Sequence, residues 1–191
     1  MTTSSAARRP RRFDPDRRER IVRACLDVLA EHGVAGTTHR RVAAAADVSL
    51  GSMTYHFAGM DDLLRAAFDA FATSVAVRFE RRLAAAQGPD EAVDAVIAII
   101  TEEVFGTQRD LVLTHELYTL AARDPGFREV TNAWMKRSRA ALERHFDAIT
   151  TRMLDALIEG LAIHIALDTS PLDRDVVRGA VVRIAAGGTQ A

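Results

Sequence analysis

The stretch from residue 38 to residue 57 constrains the fold more than any other part of this 191-residue chain. Thr38 has a side chain suited to capping the start of a helix, and Ser49 offers the same at the start of a second helix. Between them, Asp47 interrupts the apolar pattern, and the alanines of 43–46 would let two helices cross closely. The segment therefore predicts two short helices joined by a tight turn, the helix-turn-helix pattern.

The second of these helices is predicted to end near Phe57. In this arrangement Leu50, Ser52 and Thr54 project outward, as they would on a recognition helix that enters the major groove of DNA. Gly51 keeps the backbone close to the groove, and Phe57 belongs to the core.

The same segment resembles the DNA-binding domain of the TetR family of bacterial one-component regulators. The matches are Thr37-Thr38, Val42-Ala43, Ala46 to Ser49, Gly51, Met53 to Phe57 and Leu63-Leu64. The resemblance covers about residues 17 to 68 and departs from the family pattern at three positions. Asp47 replaces the turn glycine, Thr54 replaces a common tyrosine, and Met60 replaces a usual phosphate-binding lysine. Because Asp tolerates the left-handed conformation, we expect the turn to form, whereas the lysine's backbone contact is lost.

Helix geometry and the resemblance together assign the DNA contacts. Thr38 and His39 open the first motif helix, where a hydroxyl and backbone N–H groups can hold a phosphate. Arg40 is placed to reach a guanine edge, as its position does in some family members. The predicted contacts are Thr38, His39, Arg40, Ser49, Leu50, Gly51, Ser52, Thr54, Tyr55 and His56.

Two of these residues have an alternative role. Tyr55 and His56 are assigned to phosphates, but Tyr55 would equally suit a partly buried aromatic anchor for its helix. A neutral His56 would equally suit a cap on a local carbonyl. Arg41 is read as ordinary surface.

Helical patterns continue through the rest of the chain, and no window alternates with period two. A first helix is predicted over 15–31, and a long amphipathic helix over 60–86 precedes the break at Gln87-Gly88-Pro89-Asp90. Five more helices are predicted over 90–105, 108–123, 126–146, 148–168 and 173–186. The prediction is an all-α chain of about nine helices, as the resemblance also implies. It divides into a disordered basic arm (1–14), a three-helix head (15–59) and a helical body (60–191).

The net charge of −1 hides an asymmetry between head and body. Residues 1–60 carry ten Lys or Arg against six Asp or Glu, and the remainder carries fifteen against twenty. A basic head suits a polyanion, although ordinary solvated surface charge explains the same counts. The arginines of the arm, Arg8, Arg9, Arg11 and Arg12, would suit a minor groove or simply a solvated tail.

Cys25 is the only cysteine, which excludes an intrachain disulfide or a thiolate metal cluster and favours core packing. No apolar run approaches the roughly 18 residues of a membrane span, and the first twelve residues lack the apolar centre of a signal peptide. We therefore expect a soluble, cytoplasmic protein without membrane contact.

The last two helices carry wide apolar stripes, and Gly160 leaves a gap that would allow close helix approach. Such stripes predict a four-helix dimer interface, in line with the family's two-fold dimer, and internal packing is the alternative. The predicted interface is Leu154, Leu157, Ile158, Gly160, Leu161, Ile165, Val177, Val181 and Ile184.

The resemblance also implies an effector cavity between the long helix and the following three. Candidate lining residues, each of which would equally suit plain core packing, are Phe71, Val75, Phe105, His115, Tyr118 and Trp134. An apolar lining with two or three polar groups would suit an amphipathic or aromatic small molecule.

Catalytic and metal chemistry find no support in the sequence. The six histidines lie on separate helices without metal-ligand spacing, and the chain has no nucleophile elbow or glycine-rich phosphate loop. We expect no cofactor and no metal. The leading interpretation is a dimeric repressor released from a palindromic operator by a small-molecule effector. An activator or a constitutive DNA binder is the alternative, and a helical enzyme or small-molecule carrier is the least favoured.

Overall fold

The computed structural model describes residues 14–103, 106–170 and 173–187, and these ranges contain no β-strand. Their α-helices are α1 (Arg17–Gly36), α2 (His39–Ala45), α3 (Leu50–His56), α4 (Met60–Ala84), α5 (Pro89–Ala98), α6 (Gln108–Ala121), α7 (Pro125–Leu142), α8 (Ala148–Leu167) and α9 (Arg174–Ala185). The predicted all-α architecture is confirmed for the described residues. The predicted basic arm, apart from Asp14, and Phe105 lie outside them.

Side-chain caps explain where most helices of the body begin. Asp147 Oδ1, for example, accepts hydrogen bonds from the backbone N–H groups of Ile149 (2.9 Å) and Thr150 (2.8 Å) at the start of α8. Thr107, Asp124 and Asp173 cap α6, α7 and α9 in the same way. These residues satisfy backbone donors that an α-helix leaves unpaired at its first turn.

Three helix ends differ clearly from the sequence prediction, and the first is the helix predicted over 126–146, which ends at Leu142. Gly33 adopts a φ of 65° and breaks the regular helix, but the chain makes another turn that extends α1 to Gly36. The fifth helix is α-helical only as far as Ala98, and a π-helical turn, Ile99–Glu103, follows it. A π-turn fits more residues into one turn than an α-helix does. The spacing of apolar residues in the sequence does not indicate where such a turn occurs.

The core is continuous between the N-terminal helices and the body. One buried cluster joins residues of α1, α2, α3, α4, α6 and α7, and it runs from Ile21 and Cys25 through Phe68 to Trp134. A second cluster joins the far end of α4 to α5, α8 and α9. Cys25 is fully buried in the first cluster, and burial raises the pKa of its thiol to about 12, which leaves it unreactive.

Candidate DNA-binding surface and effector cavity

Helices α2 and α3 pack through small and apolar side chains. Val42, Ala43 and Met53 are buried between them. Thr38 Oγ1 accepts a hydrogen bond from the backbone N–H of Arg41 (3.3 Å), which confirms it as the cap of α2. The turn between the helices places Asp47 at a φ of 50°, the left-handed conformation that a glycine would adopt at lower cost. The turn therefore forms with Asp in place of the glycine.

The outward face of α3 is solvent-exposed. Leu50 is 52% exposed and Tyr55 is 84% exposed, whereas Ser52 and His56 are half-buried. The alternative role of Tyr55 as a partly buried anchor is therefore wrong. Its ring meets the ring of the half-buried His56 edge to face, with centroids 5.0 Å apart, so the two side chains are in contact at the end of α3.

The predicted side-chain cap of α3 by Ser49 is wrong. The Ser49 hydroxyl lies 3.1 Å from the Ser52 hydroxyl, and no cap hydrogen bond to the backbone is formed. The two hydroxyls satisfy each other, because Ser52 lies three residues further on, one helical turn above Ser49. Thr54 Oγ1 donates to the Gly51 carbonyl at 3.2 Å, and Thr54 is exposed.

The two arginines at the start of α2 have different surroundings. The Arg41 guanidinium donates a hydrogen bond to the Gly36 carbonyl and is thereby tied to its own chain. Arg40 is exposed, and within the described ranges no hydrogen bond or ion pair occupies its guanidinium. Arg40 thus keeps its planar donors available for a guanine edge or a phosphate.

The start of α4 is acidic at the place where the family pattern has a phosphate-binding lysine. Met60 is the first residue of the helix, and Asp61 and Asp62 follow it. Asp62 accepts a hydrogen bond from the backbone N–H of Ala58 (3.0 Å), which ties the helix start to the loop before it. The nearby Arg65 guanidinium lies over the Phe127 ring, 5.4 Å from its centroid, and so packs toward the body.

A small, partly open cavity lies in the body between α4, α6, α7, α8 and the π-helical turn. Its volume is about 10 Å³, and its lining residues are Phe71, Val75, Arg78, Glu103, Asp110, Thr114, Trp134 and Glu159. Ligand pockets for drug-sized molecules are roughly 300–1,000 Å³, so a ligand would require side chains to move apart. Of the predicted candidates, Phe71, Val75 and Trp134 come together here.

Trp134 is the centre of an aromatic cluster at this cavity. Its indole stacks on the Tyr118 ring (centroids 6.1 Å apart, planes 28° apart) and meets the Phe71 ring edge to face (6.1 Å, 79°). The Tyr118 hydroxyl donates a hydrogen bond to Glu159 Oε1 at 2.5 Å. Tyr118 therefore connects the aromatic wall to a carboxylate of α8.

Burial dominates the electrostatics of this wall. It is the largest cause of the raised pKa of Glu159, and the negative charge of nearby Asp155 raises that pKa further. The Tyr118 hydrogen bond and the nearby His115 act in the opposite direction. Burial also raises the pKa of the Tyr118 phenol, so the phenol is the hydrogen-bond donor of this pair at neutral pH.

The sequence prediction of the cavity was incomplete in one respect and misplaced in another. Glu159, Thr114, Arg78, Glu103 and Asp110 line the cavity but are not among the predicted residues. Glu159 is missed because the sequence analysis assigns α8 to the dimer interface alone. His115 and Tyr118 are not among its lining residues: the His115 Nδ1 lies 2.8 Å from the Leu111 carbonyl one turn earlier, and Tyr118 stacks on the lining residue Trp134. The missed signal was Glu159 itself, an acidic residue in the otherwise apolar stretch from 156 to 163.

A larger groove of about 520 Å³ runs along the outside of α4 and α7. Its lining is charged or small, and the Arg137 guanidinium forms two hydrogen bonds with the Glu80 carboxylate (2.7 and 2.9 Å) across it. An open groove without aromatic residues suits an aromatic effector less well than the smaller, less open cavity beside Phe71 and Trp134 does.

The interface prediction on α8 and α9 needs correction. Leu154, Ile158, Val177 and Val181 are buried within the chain itself, where they belong to the second core cluster. They cannot face a partner without unpacking that core, so for these four residues the alternative of internal packing is correct. The other predicted residues remain on or near the surface: Leu157, Leu161 and Ile184 are half-buried, and Gly160 and Ile165 are exposed.

A different line of α8 faces outward. Ile149 (75% exposed), Met153, Ala156, Gly160 and Leu167 follow one another at intervals of three, four or seven residues. On α9 the exposed apolar side chains are Val176 and Val182. We call these seven residues the α8–α9 surface. The sequence of α8 has both lines of apolar residues at helical spacing, and only the packing of the folded chain shows which line is exposed.

No helix in the described part of the chain is long and apolar enough to cross a membrane.

Two family descriptions match the chain and together cover most of it. Residues 21–67 match the bacterial regulatory proteins of the tetR family, and residues 87–187 match the tetracyclin repressor-like C-terminal domain. The first match contains α2 and α3, and the second contains most of the residues that line the cavity.

Among characterised relatives, the transcriptional regulator CymR of Pseudomonas putida is 31% identical over 124 residues. That alignment covers 65% of this chain but only 60% of CymR. The regulator PksA of Bacillus subtilis is 25% identical over 186 residues, which cover 91% of each chain.

Two solved structures extend the comparison over the whole fold. SCO7518 of Streptomyces coelicolor A3(2), described as a transcriptional regulator, is 53% identical with a TM-score of 0.85, covering 90% of this chain and 99% of that one. The multidrug binding protein EbrR, solved in complex with ethidium, is 35% identical with a TM-score of 0.75, covering 88% of this chain and 98% of that one.

Proposed function

Since the chain belongs to the TetR family of bacterial regulatory proteins, we propose that it is a dimeric repressor that binds a palindromic operator and dissociates from it when an aromatic effector binds. As in its family, this is a transcriptional regulator rather than an enzyme. The single observation that carries the effector part of the proposal is the aromatic cluster of Phe71, Tyr118 and Trp134 at a small cavity, which Phe71 and Trp134 line.

The head is proposed to bind DNA through the exposed side of α3 and the start of α2. Leu50, Thr54 and Tyr55 are supported by their exposure, and Arg40 by its unoccupied guanidinium. The other proposed contacts are Thr38, His39, Ser49, Gly51, Ser52 and His56. Tyr55 and His56 are assigned to phosphates, because hydroxyl and imidazole groups at this end of the helix position the protein without reading bases.

The head corresponds to residues 15–59 and the effector-binding body to 60–191, and we propose that two bodies associate through the α8–α9 surface. In a single chain this surface would leave large apolar side chains in water, which a two-fold contact removes. Two DNA-reading heads are also what a palindromic site requires. Gly160 lies in the middle of the surface with no atom within 4 Å of an added Cβ.

The dimer proposal is tested by two changes on α8: Gly160→Leu lies on the open surface, and Leu161→Arg replaces a half-buried residue that also packs against the second core cluster. At Gly160 an added Cβ meets no atom of its own chain within 4 Å, and leucine is a good helix former, so Gly160→Leu should act mainly through the partner side. Leu161→Arg places a charge beside the same surface. Sedimentation at micromolar concentration is expected to show a wild-type dimer and a weakened dimer in both variants; a monomeric wild type contradicts the proposal.

The effector is proposed to enter the cavity between α4, α6, α7 and α8. EbrR supports this assignment, since that related protein binds ethidium. Helix α4 connects the cavity to the head along one continuous core, and α6 touches α1 directly: the Arg109 guanidinium lies 2.6 Å from the Asp27 carboxylate. Effector binding would favour a body conformation in which the two heads no longer fit grooves about 34 Å apart.

The function is tested by titrating the protein into labelled DNA taken from beside its own gene, with and without malachite green as a probe. We expect preferential binding to an inverted repeat over a scrambled duplex, and loss of binding when the dye is added. Because such dyes also bind DNA directly, Trp134→Leu is the matched control. It should bind the operator but respond less to the dye.

Two outcomes would contradict the proposal in different ways. Equal affinity for the inverted repeat and the scrambled duplex would remove the operator function. An equal dye response in wild type and Trp134→Leu would show that the dye acts on the DNA and would leave a constitutive DNA binder. The position of the bound site relative to the promoter then separates repression from activation.

A further inference from the structure

The turn between α2 and α3 is closed by two backbone hydrogen bonds of its own. The N–H of Val48 donates to the Ala43 carbonyl (3.0 Å), and the N–H of Asp47 donates to the Ala44 carbonyl (3.2 Å). This pair of bonds is the Schellman motif, in which the residue after the helix adopts the left-handed conformation that Asp47 has here. Two of the carbonyls that the end of α2 would leave unpaired are satisfied in this way.

The carbonyl of Ala46 accepts its hydrogen bond from another helix. Arg20 of α1 donates to it through Nε at 3.1 Å, across 26 residues of sequence. Ala46 is buried, and a carbonyl that loses its partner in a buried position is costly. Arg20 therefore stabilises the conformation of the turn that directs this carbonyl toward α1.

The Arg20 guanidinium is held from its other side by Asp14. Nη1 of Arg20 lies 2.7 Å from Asp14 Oδ2. The hydrogen bond from Arg20 is the main cause of the lowered pKa of Asp14, so the carboxylate is ionised at neutral pH and neutralises the guanidinium. Asp14 Oδ1 also accepts a hydrogen bond from the backbone N–H of Asp16 (3.2 Å), just before α1. A planar guanidinium holds two partners in fixed directions, which a lysine ammonium does not do.

The first turn of α3 lies at the surface. Residues 49–51 are exposed, and Met53 is the first buried residue of the helix. The far end is anchored by side chains, because Phe57 is buried and the Arg18 guanidinium lies 5.1 Å from its ring centroid. The direction in which α3 begins therefore depends on the backbone of the turn, and Arg20 contacts that backbone.

We propose that Arg20 is a positioning residue for DNA sequence recognition: it holds the Ala46 carbonyl from α1, keeps Asp47 in the left-handed conformation and thereby sets the angle at which α3 meets the major groove. The inference rests on the proposed operator binding and adds a residue outside the two motif helices. The aspartate explains why such a residue is useful here. A glycine adopts the left-handed conformation at lower cost than Asp47 does, so this turn gains more from an additional hydrogen bond.

A phosphate contact is the competing role for an arginine in the head. If Arg20 bound a phosphate, removal of its charge would weaken binding to every duplex. The slope of log affinity against log salt would also fall by about 0.9 for each of the two heads, or about 1.8 for the dimer. A positioning role predicts a selective loss instead, because phosphate contacts support binding to any sequence whereas the angle of α3 matters for reading bases.

The experiment measures binding of the full chain to two duplexes. One is the inverted repeat that wild type selects from a random pool, and the other is a scrambled duplex of the same length. Arg20→Met removes both hydrogen-bonding partners from the side chain. We expect its affinity for the inverted repeat to fall roughly 5- to 30-fold and its affinity for the scrambled duplex to fall less than about twofold, with an unchanged salt slope.

Two further variants of α1 complete this measurement. Arg20→Lys keeps the charge but not the planar fork, so it should show most of the selective loss, whereas a phosphate contact would tolerate lysine. Arg23→Met, an exposed arginine on the same helix, is the matched control and should leave the ratio of the two affinities unchanged.

A change at Asp47 separates positioning from a general loss of stability. Glycine lowers the cost of the left-handed conformation, so Arg20→Met/Asp47→Gly should recover most of the ratio of the two affinities that Arg20→Met loses. Asp47→Asn removes the same charge but keeps a Cβ, so in the double variant it should recover less. A merely structural role of Arg20 would lower the free energy of unfolding without changing this ratio in protein that circular dichroism shows to be folded.

The outcomes separate this inference from the operator binding on which it rests. A uniform loss for both duplexes with a smaller salt slope would make Arg20 a phosphate contact. An unchanged ratio in Arg20→Met, or a lost ratio that Asp47→Gly does not restore, would also overturn the positioning role, and operator binding by wild type would stand in each of these cases. If wild type selects no sequence from the pool, both the operator function and the role of Arg20 are overturned.

Discussion

The head and the body of this regulator build their binding surfaces in opposite ways. In the head, the proposed DNA contacts lie within residues 38–56, on two short helices and the turn between them, and most are exposed. In the body, the cavity collects side chains from residue 71 to residue 159, from four α-helices and a π-turn, and its aromatic wall is largely buried.

This difference follows from what each surface binds. DNA is a large external partner, so a helix that presents one face to solvent is sufficient. A small molecule must be surrounded, so its site has to be assembled from distant parts of the chain. We expect substitutions in the head to change DNA binding at little cost in stability. Substitutions in the aromatic wall of the body should change both ligand binding and stability. The following predictions test that contrast.

The largest effect is expected where the two regions share a core. Phe68 is fully buried, and its ring meets the Phe127 ring edge to face at 6.1 Å. Phe68→Ala should lower the free energy of unfolding by about 3–5 kcal/mol. Urea denaturation at fixed protein concentration, followed by circular dichroism and by Trp134 fluorescence, should show both signals shifting together. Val77→Ala, exposed on the same helix, is the control and should change stability little. Two separated transitions would show that the head unfolds independently.

A smaller and purely functional effect is expected in the head. Arg40→Ala should weaken operator binding by about 1–3 kcal/mol and relax the preference for one base pair in each half-site. Because Arg40 is exposed, the free energy of unfolding should stay nearly constant. Titrations against the operator and its single-base variants at one salt concentration measure this. A uniform loss across all duplexes would reassign Arg40 to a phosphate. Tyr55→Phe, proposed to lose only a phosphate contact, provides the comparison.

Adding a single methyl group at the junction between head and body should lower the free energy of unfolding. Gly33 has a φ of 65°, and a Cβ added there would lie 2.6 Å from Glu116 Oε1 of α6. Gly33→Ala should cost about 1–2 kcal/mol from the backbone conformation alone, and more from the clash. The double variant Gly33→Ala/Glu116→Ala removes the clash and should recover only that second part. If the effects of the two changes on the free energy of unfolding are simply additive, Glu116 of α6 does not clash with a side chain at position 33.

The smallest effect is expected at the acidic start of α4. Met60→Lys restores a cation where the family has its phosphate-binding lysine, once in each head of the dimer, so the plot of log affinity against log salt should steepen by about 1.8. Specific and scrambled duplexes should gain affinity alike, because a phosphate contact reads no sequence. Met60→Gln, which adds no charge, is the control. An unchanged slope would mean that the adjacent Asp61 and Asp62 keep this corner away from the DNA.

Sequence alone predicted the head well because its determinants are local. The capping threonine, the turn at Asp47 and the alternation of buried and exposed residues on α3 all act within one helical turn. Ser49 is the exception: its hydroxyl turned to Ser52 instead of the backbone, a choice between two nearby partners that residue type does not settle. Helix existence along the body was equally predictable from periodicity and caps.

The binding surfaces of the body were decided by tertiary structure. The sequence of α8 contains two apolar lines, and it did not indicate that Leu154 and Ile158 would turn inward while Ile149 and Met153 would stay exposed. Nor did it place Glu159 beside Tyr118, 41 residues earlier in the chain. Local patterns determine which residues form helices, because capping and periodicity act over a few residues. Which helix faces meet depends on how the helices pack together, and that packing placed Glu159 beside the aromatic wall.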